Sequence, residues 1–241
     1  MIGMIRSEWI KLRRSVVWLL AAVSPLFVAV IGMVELEKEA DFPWVAVLSI
    51  ASALHAMLFL PLLVGIFTAL VCRYEHASGG WKQMLSLPVS RTQVYAVKLG
   101  MVMLLIAVTQ LLLLLFVLLL GFMKGFGGDI PWSLLMKSML GGWVACLPLA
   151  ALQLFVSIAF HSFAAPLAVN VILTLPNMLI VNSSQYGPYY PWAQPMLAMM
   201  PREDYGFGAF NLSMETLFIV VLGSFCVFGL AGLIYFQKKS V

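Results

Sequence analysis

The chain has 241 residues, 63% of them hydrophobic and 10% charged, with a formal net charge of +4. Soluble domains carry roughly 25% charged residues, so this balance, with a mean hydropathy of +1.02, excludes an ordinary soluble globule and predicts an all-α polytopic membrane protein. The unbroken LLLLLFVLLL of Leu111–Leu120 excludes an outer-membrane-type barrel, whose strands alternate, and no polar stretch is long enough to bury a soluble core.

Residues 1–15 open the chain with an amphipathic pattern. Ile5, Trp9, Leu12 and Val16 fall on one helical stripe, and Arg6, Lys11, Arg13 and Arg14 lie off it. This predicts an interfacial helix drawn to anionic lipid. The apolar run that follows is too long for the core of a signal peptide and lacks a small-residue cleavage pattern, so it reads as a retained span. Six spans are predicted, at about 17–34, 43–71, 97–123, 139–160, 163–181 and 216–236, forming one transmembrane domain over 1–241. Pro25 marks a kink in the first. The fifth is interrupted by Pro166 and Pro176. Stretch 182–215 is rich in Pro, Tyr and Trp, which predicts packing on the membrane surface rather than free disorder. Cys72, Cys146 and Cys226 lie in or beside apolar runs, with neither metal-ligand nor disulfide spacing, and read as small apolar helix residues.

The stretch Glu75–Arg91, EHASGGWKQMLSLPVSR, separates two strongly apolar runs. Trp81 and Leu85 are four apart and share a helical face, with Lys82 and Gln83 pointing away from it. Pro88 ends the pattern. A short helix over 81–87 at the membrane surface is predicted. An acidic residue, a Gly followed by an aromatic and a base, and then L-x-L-P-V-S-R resemble the first cytoplasmic loop of type-2 ABC exporter permeases. Glu75, Gly80, Trp81, Lys82, Leu85, Pro88 and Ser90-Arg91 fall on matching positions. The resemblance implies a coupling helix that docks in a groove of a separate ABC ATPase subunit, with Trp81 and Leu85 filling the groove and Glu75 and Lys82 making polar contacts. Size and layout resemble the small bacitracin-resistance and lantibiotic-immunity permeases.

Orientation follows from the bases. Arg6, Lys11, Arg13, Arg14, Arg73, Lys82, Arg91, Lys98, Lys238 and Lys239 fall on the side of the termini, and Lys38, Lys124, Lys137 and Arg202 on the other. The positive-inside rule then places both termini and loop 72–95 in the cytoplasm, with 182–215 outside, and the resemblance implies a bacterial inner or plasma membrane. Nothing in this distribution is a nucleic-acid footprint.

No acid or base sits in the middle of a predicted span, which argues against an ion-coupled carrier. There is no phosphate-binding G-x-x-x-x-G-K-[ST], so the chain is read as a non-enzyme without a cofactor of its own. ATP and Mg belong to the partner ATPase, and six spans require a second permease subunit, identical or homologous. Gln110, Gln153, Asn170 and Asn177 are candidates to line a substrate path or to join helices by hydrogen bonds. Apolar span surfaces without buried charge suit a hydrophobic or amphipathic cargo, such as a peptide antibiotic. The alternative is a membrane enzyme or scaffold using His55 or His161, for which no nucleophile or metal motif speaks.

Overall fold

The computed structural model describes residues 2–36, 42–76, 79–86, 88–126, 129–201 and 208–239. Among them the secondary structure is helical, without strands. Helix α1 is Ile2–Arg13, α2 is Val17–Glu35, α3 is Pro43–His76 and α4 is Gly80–Leu85. Helix α5 is Arg91–Lys124, α6 is Trp132–Ala159, α7 is Ala164–Ile180, α8 is Gln194–Met199 and α9 is Met214–Lys238.

Five of these, α2, α3, α5, α6 and α9, are long and apolar enough to cross a membrane. The fifth expected span, 163–181, is not of that kind. Helix α7 is shorter, and it is broken between Thr174 and Asn177, at Pro176. Proline has no N–H to donate and cannot continue a helix undisturbed. Helices α3 and α5 have 34 residues each, about 51 Å at 1.5 Å per residue. They overrun the predicted 43–71 and 97–123 because polar residues of the loop between them, Arg73 to His76 and Arg91 to Gln93, are helical too. A capping box starts α5: Gln93 N–H donates to Ser90 Oγ at 3.2 Å, and Ser90 N–H donates to Gln93 Oε1 at 3.3 Å.

Contacts fix the two ends of the bundle. At one end Lys124 Nζ donates to Leu36 O at 2.9 Å, and Trp44 stacks edge-on against Phe126 over Gly121. The other end gathers α1, the end of α3, α4, the start of α5, the end of α6 and the last turn of α9. There Arg91 Nη1 donates to Phe236 O, Gln237 O and Lys239 O at 2.7, 3.0 and 2.6 Å. A cation thereby satisfies carbonyls left open at a helix C-terminus. Helix α1 and the end of α9 thus share one end of the molecule.

The described part of 182–215 divides between surface and interior. Tyr186 and Tyr189 are exposed, as expected from its composition, while residues 191–199 run back into the bundle. Trp192, Ala193, Gln194 and the rest of α8 are buried, and Ser138 Oγ of α6 donates to Met199 O at 2.8 Å. Aromatic content announced packing, but composition alone cannot distinguish packing onto lipid from packing into protein.

Candidate coupling site

The shared end of the bundle is built around four charged side chains from three helices. Lys11 Nζ lies 2.6 Å from Glu8 Oε1 and 2.6 Å from Glu75 Oε1. Lys98 Nζ lies 2.8 Å from Glu75 Oε2 and 3.4 Å from Glu8 Oε2, and it donates to Val71 O at 2.8 Å. Glu8, Glu75 and Lys98 are buried and Lys11 is half-buried. Two carboxylates and two ammonium groups cancel, which is the condition for keeping charge out of water. Burial acts to lower the Lys11 ammonium pKa, but hydrogen bonds and attraction from Glu75 and Glu8 outweigh it and hold it above the ordinary lysine value.

Helix α4 is pinned onto this cluster. The ammonium of Lys98 sits 5.6 Å from the centre of the Trp81 ring, within cation–π range. Trp81 packs on Phe236 of α9 at 5.2 Å between ring centres, and its Nε1–H donates to His76 Nδ1 at 3.2 Å. His76 Nε2–H donates in turn to Ser157 O of α6 at 2.7 Å. Gly79 before the helix has φ of 69°, a left-handed conformation that favours glycine. Gly80 lies so close to the end of α3 that a Cβ there would come within 2.8 Å of Glu75 Cα and Tyr74 O. The side chains of Lys82 and Gln83 point outward and are exposed, as is Pro88. A cleft of about 340 Å³ opens between α1 and this segment, lined by Met4, Ser7, Lys11, Met84 and Pro88 among others.

The sequence-derived coupling residues therefore divide. Gly80, Lys82 and Pro88 stand at or near the surface of α4 or just after it. Glu75 and Trp81 are turned inward, 2% and 6% exposed, and hold α4 to the bundle instead of facing outward. Arg91 caps α9. The side chain of Leu85, and all of Leu87, lie outside the described residues. The sequence reading missed Glu8, Lys11 and Lys98 as partners of Glu75. A signal was present: Glu8 and Glu75 are the two acids on the base-rich side, and Lys98 stands about two turns inside an apolar helix.

The four polar span residues have separate roles. Pro61 interrupts α3 directly after a π-helical stretch, Ser52–Phe59. It has no N–H to offer the carbonyl four residues before it, that of Met57. Asn177 Nδ2 supplies the missing donor to Met57 O at 2.7 Å and also reaches Trp192 O at 3.0 Å. Asn170 Nδ2 donates to Pro61 O at 3.0 Å, while its Oδ1 accepts from Trp192 Nε1 at 2.9 Å. Both asparagines are thus helix-joining groups that satisfy backbone in a water-poor interior. Gln110 Nε2 meets Met199 Sδ at 3.4 Å, and its side chain borders an apolar hollow of about 260 Å³ between α5 and α6. Gln153 is fully buried in α6 with neither amide atom hydrogen-bonded among the described residues. The structure does not bring these four into one lining. His55 is buried, its Nδ1 2.6 Å from Ser24 Oγ, and His161 is exposed near His76. No grouping of His, Cys, Asp and Glu suited to a metal occurs among the described residues.

A helical bundle with membrane-length apolar helices, carrying a short helix clamped across one end, has the layout of a transporter's membrane domain. Residues 4–177 match the family model described as ABC-2 family transporter protein, and the chain belongs to that family. It is an ABC-2 type permease, an integral membrane protein, and the family implies an ABC ATPase as its partner. The chain matches no curated protein sequence.

Proposed function

We propose that this permease is the membrane half of an ATP-driven exporter, with α4 as the coupling helix and the end bearing α1 and α4 in the cytoplasm. The observation that carries the reading is α4 itself. Six residues are too few to be stable alone, yet Trp81, Gly80 and the Lys98 cluster fix them rigidly, leaving Lys82 and Gln83 free to meet another chain. ATP and Mg reside on the ATPase, which closes on binding ATP and moves α4. The clamp passes that motion to α1, α3, α5, α6 and α9 together, because each contributes a contact to it. Two permease subunits, identical or homologous, complete the path in a bacterial inner or plasma membrane. The cargo is hydrophobic or amphipathic, a class that includes membrane-active peptide antibiotics handled in self-immunity or resistance.

Co-purification tests this. The chain is tagged at its C-terminus and extracted in mild detergent, and the proteins retained are identified. A stoichiometric ATP-binding-cassette protein that is lost on Lys82→Glu supports the reading. Its undiminished retention on Lys82→Glu and on Gln83→Asp removes α4 from the contact. Vesicles then test cargo: outward movement of a fluorescent amphipathic peptide should require ATP.

A further inference from the structure

We infer that the end of the bundle opposite α4 carries a binding site for an organic cation, the ammonium head of an amphipathic molecule. A hollow of about 470 Å³ opens there between the start of α3, the end of α5 and the start of α6, lined by Trp44, Phe122, Phe126, Trp132 and Asp129. Local structure sets its shape. Helix α5 ends in a Schellman turn: Gly125 has φ of 70°, its N–H donates to Phe122 O at 3.2 Å, and Phe126 N–H donates to Gly121 O at 3.0 Å. That reversal brings Phe126 edge-on to Trp44, with 5.3 Å between ring centres. Gly121 makes room for the indole, since a Cβ there would meet the Trp44 ring at 2.4 Å.

The chemistry of the lining selects the occupant. Aromatic faces carry partial negative charge and attract ammonium groups. Asp129 is exposed at the same hollow and forms no ion pair among the described residues. Lys124, the base at the end of α5, donates instead to Leu36 O at 2.9 Å. Trp44 is 8% exposed, and its Nε1–H has no acceptor among the described residues. A buried donor without a partner costs free energy until an acceptor reaches it. An interfacial anchor accounts for Trp132 alone. A carboxylate, aromatic walls and an open indole N–H together fit an ammonium with a carbonyl a few atoms away. A cavity of about 150 Å³ can hold benzene, so this hollow has room for the head of such a molecule and the ring or chain next to it. Its use in transport rests on the exporter function proposed above: at the outer end, it receives cationic cargo.

The probe is benzoylcholine, which has a permanent ammonium, an ester carbonyl and a ring. Its uncharged carbon counterpart is neohexyl benzoate. Titration calorimetry on the full chain in a nonionic maltoside detergent, against empty micelles, should show saturable binding of benzoylcholine. The uncharged ester should bind at least about five-fold more weakly. Asp129→Asn and Trp132→Leu, both at exposed positions, should each weaken benzoylcholine about five-fold with Tm unchanged. Trp44→Phe, which keeps an aromatic ring and removes the N–H, should weaken it as well. No saturable binding, or binding untouched by Asp129→Asn, overturns the site. Equal binding of the two esters overturns the cation, and an unchanged affinity in Trp44→Phe overturns the hydrogen bond. None of these results alters ATPase retention by α4. A chain that binds benzoylcholine but retains no ATPase keeps the site and loses the exporter reading.

Discussion

Replacing Lys98 by methionine probes the clamp most directly. The side chain keeps its approximate length and apolar stem but loses its charge. Glu8 and Glu75, both buried, would then share the single half-buried ammonium of Lys11, leaving the cluster one negative charge in excess. Removing one member of a buried ion pair typically costs about 3–5 kcal/mol. The carbonyl of Val71 loses a donor as well. For a chain of this size each kcal/mol moves Tm by about 2–4 °C, so Lys98→Met should lower it by roughly 6–20 °C. Thermal unfolding followed by size-exclusion chromatography in mild detergent gives the readout. The discriminating variant is Lys98→Met/Glu75→Gln, which returns the cluster to neutrality with Glu8 and Lys11 paired. Its Tm should lie above that of Lys98→Met alone. A single mutant within a degree or so of wild type, or a double mutant no better than the single, would refute the view that charge balance holds this end together.

Further predictions concern the backbone donors, the α3–α4 junction and pH. Asn177→Leu leaves Met57 O and Trp192 O without their donor, and should cost about 1–3 kcal/mol, seen as faster exchange in 52–62 and 187–200 with α1 unaffected. Gly80→Ala places a Cβ against the backbone of Tyr74 and Glu75. It should displace α4 and lose the ATPase while leaving the fold intact, whereas Gly100→Ala, in open space, should retain both. Because the Lys11 pKa is raised in the folded state, its contribution is complete below the ordinary lysine value and is lost as pH rises through the raised one. Helix α1 should therefore loosen only at strongly alkaline pH, measured by the fluorescence of Trp18; loosening between pH 7 and 9 would contradict the pairing.

Much of the molecule was legible in the sequence because hydrophobicity reports lipid contact directly. Helices α2, α3, α5, α6 and α9 rest on long apolar runs, which any helix in a bilayer requires. The resemblance around Glu75–Arg91 reached the right family for a similar reason: Gly80, Trp81 and Pro88 are local demands of a short helix seated on a longer one. What pattern could not reveal was which way a side chain faces once several helices compete for it. Glu75 and Trp81 read as outward contacts because the resemblance placed them against the groove of a partner ATPase. Lys98 entered only as one of the bases on the side of the termini. Pairing across residues 8, 11, 75 and 98 depends on long-range packing, and no local period encodes it. The same holds for Asn170 and Asn177. The sequence by itself determined an all-helical membrane protein with its short helix between two long spans. Pro176 already announced the break in the fifth span; only the tertiary structure decided that this span is short, that α8 is folded into the core, and that four charges from distant positions cancel at one end. The physical reason is that burial of a polar group is decided by the partner it finds, and that partner is set by the packing of the whole bundle.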